Sequence, residues 1–188
     1  MERDGNVQRS VILISGAPAS GKSTVARGLA DAFGWSLLSK DVFKESLYDS
    51  LGLLLAERTQ GPELSRLLSR AAMDLLWSVA PHCPQVILEA NFRTKSEEER
   101  TRFAALEGRK LEIYCRCSPE KAARRFRERA ERTRHHPAHS VKSLPAESMR
   151  EYGQPFGLCP VIEVDTERPV DIAELAERIR RLWPDLQR

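Results

Sequence analysis

The densest run of chemically capable residues lies near the start of the chain. Gly16-Ala17-Pro18-Ala19-Ser20-Gly21-Lys22-Ser23 fits the pattern G-x-x-x-x-G-K-[ST], and Thr24 follows it. A loop that wraps a phosphate must turn successive backbone N–H groups inward, and glycine permits the dihedrals and the close approach this needs. A helix that begins at the loop adds the positive end of its dipole. In such a loop Lys22 is expected to reach the β and γ oxygens of a nucleoside triphosphate, and the Ser23 hydroxyl to ligate Mg²⁺. The apolar run Val11-Ile12-Leu13-Ile14 before the loop and the helical period after it supply the context the motif requires.

Three further groups are candidates to act beside the loop. Asp41 and Lys44 stand one helical turn apart after a short apolar segment. In a doubly wound sheet ligands gather at the carboxyl ends of the strands, which would bring Asp41 near the phosphates, in position to accept a hydrogen bond from an acceptor hydroxyl. The same aspartate could instead cap the following helix, or do both. Glu89 and Asn91 end another apolar segment, where they could hold Mg²⁺ or orient Asp41 and Lys44. Arginines 124, 125, 127, 129, 132 and 134 crowd one stretch, with His135, His136 and His139 after them. Cations closing over equatorial phosphoryl oxygens stabilise a transferring phosphate, and Arg125 and Arg129 share a helix face. Glu120, Glu128 and Glu131 interleave with the arginines, so part of this face is expected to be merely solvated.

These groups must be positioned by alternating strands and helices. Apolar runs predict strands at 11–15, 35–38, 86–88, 111–117 and 161–164. Helical periods predict helices over 22–33, 42–55, 63–79, about 94–108, 119–132 and 171–182. Gly34 suits a helix C-cap, Ser118-Pro119 a helix start, Asp171 an N-cap, and Thr94 with Glu97 a capping box. Gly61-Pro62 and Pro81 are expected to interrupt helices, and 133–145 to form a loop or lid. Strands alternating with helices of this length imply an α/β fold, a parallel sheet with helices on both faces. The 42–55 and 63–79 helices would floor a substrate pocket, with Met73 and Trp77 otherwise reading as core.

Composition removes other classes. The chain has 188 residues, 41% hydrophobic and 30% charged, with net charge +3. That suits one globular domain, here taken as 1–188, and gives too little positive charge to indicate a nucleic-acid binder by itself. No apolar run approaches the roughly 18 residues that cross a bilayer, and Met1–Asn6 holds no apolar stretch of a signal peptide, so a cytoplasmic protein is expected. Cys83, Cys115, Cys117 and Cys159 lack zinc-ligand spacing and are expected to be free thiols.

The phosphate loop, Asp41 with Lys44, Glu89-Ala90-Asn91, Cys117-Ser118-Pro119-Glu120 and the run into Arg134-His135-His136-Pro137-Ala138-His139 together resemble the small P-loop kinases. These are the AAA-type kinase family, chloramphenicol phosphotransferase and the kinase domain of phage-type polynucleotide 5′-kinase. The resemblance spans Val11 to about Trp183. It implies the three-layer P-loop NTPase fold, a five-stranded sheet of order 2-3-1-4-5, and an Arg-rich mobile lid over about 119–140. It implies ATP and Mg²⁺, with residues 16–24 and Arg125 on the nucleotide and Asp165-Thr166 beside the adenine. Ser23 and Glu89 would serve the metal, Asp41, Lys44 and Asn91 the acceptor, and Lys22, Asp41, Arg125 and Arg129 the transfer step. Lys44 replaces the arginine of the polynucleotide kinase and cannot make its planar two-pronged contact. A small hydroxyl compound is therefore the first expectation for the acceptor. A nucleic-acid 5′-hydroxyl and a non-transferring regulatory ATPase are the alternatives.

Overall fold

The computed structural model describes residues 8–56, 59, 61–132, 136–141 and 143–186. Strand β1 (Ser10–Ser15) leads through the glycine-rich loop into α1 (Lys22–Phe33). Then come β2 (Ser36–Ser39), α2 (Lys40–Ala56), α3 (Gly61–Val79), a 3₁₀ turn (Ala80–His82) and β3 (Gln85–Glu89). After these follow α4 (Glu97–Ala105), β4 (Arg109–Arg116), α5 (Pro119–Arg132), α6 (Ala146–Met149), a second 3₁₀ turn (Arg150–Tyr152), β5 (Val161–Asp165) and α7 (Ile172–Leu182). The five strands form one parallel sheet in the order β2-β3-β1-β4-β5, as the family resemblance implied.

Alternation along the strands explains the layers. Ile12 and Ile14 of β1, with Leu111 and Ile113 of β4, point into a core closed by α1 and α7 through Leu29, Leu175 and Ile179. Val11 and Leu13, with Val86 and Leu88 of β3, point to the other face and meet Leu76 and Trp77 of α3 and Phe103 of α4. A strand covered on both faces carries apolar residues at every position, which is why β1 reads as an unbroken run.

Local chemistry sets the ends of the elements. Gly34 takes the left-handed conformation (φ 67°) and its N–H returns to the Ala30 carbonyl, closing α1 as expected. Asp171 caps α7 by accepting from the Glu174 N–H at 3.0 Å. Two expectations need correction. Ser96, not Thr94, caps α4, accepting from the Glu99 N–H at 3.3 Å; Glu99 instead accepts from the Arg93 N–H at 2.9 Å, so no reciprocal box forms. That helix ends at Ala105 rather than near Gly108, because Gly108 sits at φ +95° with Arg9 packed against it. Short α6 follows the 133–145 stretch and had no helical period long enough to announce it. Thr133, Arg134 and His135, expected in the lid, and Met1–Asn6 lie outside the described residues.

Glu112 is the least expected feature of the sheet. It is fully buried in the middle of β4. Its carboxylate accepts from the Ser15 hydroxyl, from the Phe156 N–H at 2.7 Å and from the Gly157 N–H at 2.8 Å. It thereby ties the segment before β5 to the centre of the sheet. Buried polar groups persist only when bonded, and this one is bonded at both oxygens.

Candidate active site

The sheet brings the carboxyl ends of β1, β2 and β3 together. Ile14 stands opposite Glu89 across one pairing and Ser39 opposite Glu89 across the other. The loop after β1, the first turn of α2 and the residues after β3 therefore open on one chamber of about 400 Å³, within the range of small-molecule sites. Its walls hold Lys22, Ser23, Asp41, Lys44, Glu89 and Asn91, with Arg125 and Arg129 of α5 beside them.

The loop has the backbone of an anion cradle. Gly16 stands at φ +134°, Ala19 at +59° and Gly21 at +93°. A Cβ at Gly16 would lie 2.6 Å from the Cys115 carbonyl oxygen, so glycine is required there. Gly21 occupies the N-cap of α1 without any side-chain cap bond, and the first turn of α1 contains no acidic residue. The positive end of that helix is left for a ligand. The Ser20 hydroxyl is buried without a partner among the described residues. Lys22 is buried and its Nζ donates to the Ala17 carbonyl at 2.7 Å. Burial lowers its pKa, against the opposing pull of Glu89.

Glu89 is buried at the end of β3 and bonded to hydroxyls. It accepts from Ser39 at 2.6 Å and from Ser23 at 3.3 Å. Two hard oxygen donors converging at the mouth of a phosphate loop match the donor set Mg²⁺ prefers, so both residues fit that ion. No group of three or more His, Cys, Asp or Glu side chains that could hold a metal occurs among the described residues, and the four cysteines are free.

Asp41 sits in the first turn of α2, partly exposed to the chamber, with Lys40 Nζ at 3.7 Å. Burial pushes its carboxyl up, but Lys40, His139, Lys22 and Lys44 outweigh that and hold it below the ordinary range. It is a carboxylate at neutral pH. Lys44 is buried, and its Nζ donates to the Ser65 hydroxyl at 2.8 Å, which donates in turn to the Ala138 carbonyl at 2.9 Å. Burial lowers the Lys44 ammonium to about 8. This lysine thus braces α2 against α3 and the 136–141 segment as well as lining the chamber. His139 pairs with Glu45 at 2.9 Å and His136 with Asp49 at 3.1 Å, so the same segment is held along α2.

Arg125 joins the chamber to a second cleft. Its guanidinium donates to the Thr166 carbonyl at 3.0 Å, and Thr166, Pro169 and Val170 line that cleft with Gly21 and Thr24. Arg129 lies 5.7 Å over the Phe126 ring and reaches the chamber wall. Asp165 is not among the chamber-lining residues; its carboxylate pairs with Arg116 at 3.2 Å and accepts from the Glu167 N–H. His139, from the expected Arg/His cluster, lines the chamber, and so do Lys40 and Ser65, which were not singled out as site residues in the sequence. Ser65 had a signal, a hydroxyl on the buried face of α3 between Leu64 and Leu68.

A phosphate loop, a strand-end carboxylate and an arginine-bearing helix over one chamber define the class of P-loop kinases. Residues 11–151 match the family model described as AAA domain (AAA_33), and the chain belongs to that family. It is similar, at 32% identity over 62% of this chain and 77% of the relative, to the cytidylate kinase of Methanothrix thermoacetophila. A candidate kinase from Chloroflexus aurantiacus superposes with TM-score 0.77 at 26% identity, covering 93% of this chain and 98% of that one. The gluconokinase of Sinorhizobium meliloti superposes with TM-score 0.58 at 17% identity, covering 96% of each chain, and shares the fold.

Proposed function

We propose that the protein is an ATP-dependent kinase that transfers the γ-phosphoryl group to a hydroxyl of a small molecule. The observation that carries this reading is that Asp41 opens on the same chamber as Lys22 and Ser23, with Arg125 and Arg129 on its wall. The loop amides and Lys22 would hold the β and γ phosphates. The cleft lined by Thr166, Pro169 and Val170 suits a flat base next to them. Ser23 and Glu89 would hold Mg²⁺, which supplies neutralisation of phosphate charge.

In the transfer step the acceptor oxygen bonds to the γ-phosphorus as the bond to the β–γ bridging oxygen breaks. The hydroxyl proton passes to Asp41, and ADP leaves. A carboxylate held below its usual range is a weak base. In a loose transition state the acceptor needs orientation more than deprotonation, and Asp41 would supply it. Arg125 and Arg129 would meet the charge on the equatorial oxygens.

The experiment is a screen of sugars, nucleosides, aminoglycosides, chloramphenicol and oligonucleotide 5′ ends for acceptor-dependent ADP release. Product analysis by ³¹P NMR should show a phosphate monoester of one hydroxyl compound. The relative named cytidylate kinase favours a second reading, in which a nucleotide phosphate is the acceptor. A phosphoanhydride product from CMP would establish that reading and displace the hydroxyl one.

A further inference from the structure

Strand parity carries into the site a serine that the transfer step does not use. Leu37 of β2 and Ile87 of β3 stand opposite each other and both pack in the core closed by α1. Side chains alternate along a strand, so Ser39 and Glu89, two residues further on and again opposite each other, leave the sheet on that same face. There they meet the first turn of α1, which carries Lys22 and Ser23. Both Ser39 and Glu89 are buried.

A buried carboxylate has two oxygens to satisfy. The Ser39 hydroxyl donates to Glu89 Oε2 at 2.6 Å, and the Ser23 hydroxyl donates to Oε1 at 3.3 Å. The shorter of these charge-assisted bonds is the firmer tie. It commits Oε2 to β2 and leaves Oε1 for Ser23 at the mouth of the phosphate loop. Without it, Oε2 is a buried acceptor lacking that donor, and the carboxylate is free to swing toward the Lys22 ammonium, on which it already acts through space. Such a swing would draw Glu89 off Ser23 and set it against the cation meant for phosphate. Ser39 also ends β2, and Asp41 follows two residues on in the first turn of α2, so the same bond fastens the start of α2 to the end of β3.

We propose that Ser39 is a positioning residue for the metal: its hydroxyl fixes the Glu89 carboxylate in the orientation that serves Mg²⁺ beside Ser23. This role rests on the kinase reading, in which Ser23 and Glu89 hold that ion, and names the group that orients one of them. Partners that hold a metal ligand in place are worth about 10–100-fold in metal affinity.

The test uses the whole protein, with Mn²⁺ as the probe ion. ADP affinity is measured by calorimetry in EDTA, and Mn²⁺ affinity of the protein–ADP complex by electron paramagnetic resonance. Ser39→Ala should bind ADP in EDTA as wild type does, because the loop amides and Lys22 are untouched. It should bind Mn²⁺ about 10-fold more weakly, or worse. Ser39→Thr, which keeps the hydroxyl, should recover part of that loss. In a Glu89→Gln background Ser39→Ala should cost no further Mn²⁺ affinity, since Ser39 acts through that carboxylate. Four results would each overturn the role of Ser39 and leave the kinase reading standing: wild-type Mn²⁺ affinity in Ser39→Ala, equal losses in the alanine and threonine variants, an equal loss of ADP affinity in EDTA, or a loss that adds to that of Glu89→Gln. Failure of the wild-type protein to bind ADP, or to take up Mn²⁺ with it, would instead remove the reading beneath it.

Discussion

At the scale of single residues the site is a set of groups held against their solution preferences. Gly16 and Gly21 accept dihedrals that other residues resist, and Lys22, Lys44 and Glu89 are buried charges. Lys44 gives a measurable consequence. Its ammonium loses its proton near pH 8 in the folded protein, and near 10.4 in an unfolded chain. Between those values the unfolded chain binds the extra proton, so this group's contribution to stability rises with pH. Below pH 8 both states are protonated and the burial cost is fully felt. Denaturant unfolding from about pH 7.5 to about pH 10 should therefore favour wild type progressively over Lys44→Met. A difference between the two proteins that stays constant across that range would contradict the burial of a charged amine. The roles proposed for Lys22 and Ser23 were legible in sequence because a phosphate cradle dictates both type and spacing. The brace through Ser65 was not, since residues 44, 65 and 138 meet only after three elements have packed.

At the scale of elements, capping and burial decide what a sequence can show. Pro119 and Asp171 announced their helices because terminal N–H groups need particular neighbours. Thr94 misled because Ser96, two residues on, offers the same hydroxyl at the true end of α4. Glu112 sat unexplained in an apolar run, and its partners at 15, 156 and 157 are distant in sequence. Glu112→Ala leaves the buried Phe156 N–H, the partly buried Gly157 N–H and the Ser15 hydroxyl without this acceptor. It should cost about 2–4 kcal/mol of stability, read as a lower midpoint in urea. A loss below about 0.5 kcal/mol would show that the 156–157 segment does not depend on this carboxylate.

At the scale of the molecule, strand order is what assembles the site. Placing β3 between β1 and β2 sets Glu89 beside both Ser23 and Ser39, and α2 delivers Asp41 to the same opening. Periodicity predicts parallel strands and helices on both faces, because each strand shows its burial. It does not order them, because order depends on contacts between residues far apart, and here that knowledge came from family resemblance. No helix among the described residues is long and apolar enough to cross a membrane. With net charge +3, an acceptor of small size should give activity that changes less than about 10-fold between 50 and 200 mM salt. A protein neutralising six to ten nucleic-acid phosphates would lose about 10³–10⁵ in affinity over that range, and such a loss here would return the 5′-hydroxyl reading.

The proposed reaction requires Asp41 to face the transferring phosphate across the chamber. It is tested most directly by single-turnover transfer of labelled γ-phosphoryl to the acceptor in wild type and Asp41→Asn, with ATP binding measured alongside. Transfer by Asp41→Asn should be slowed about 10²–10⁴-fold with ATP still bound. Transfer at the wild-type rate would contradict it.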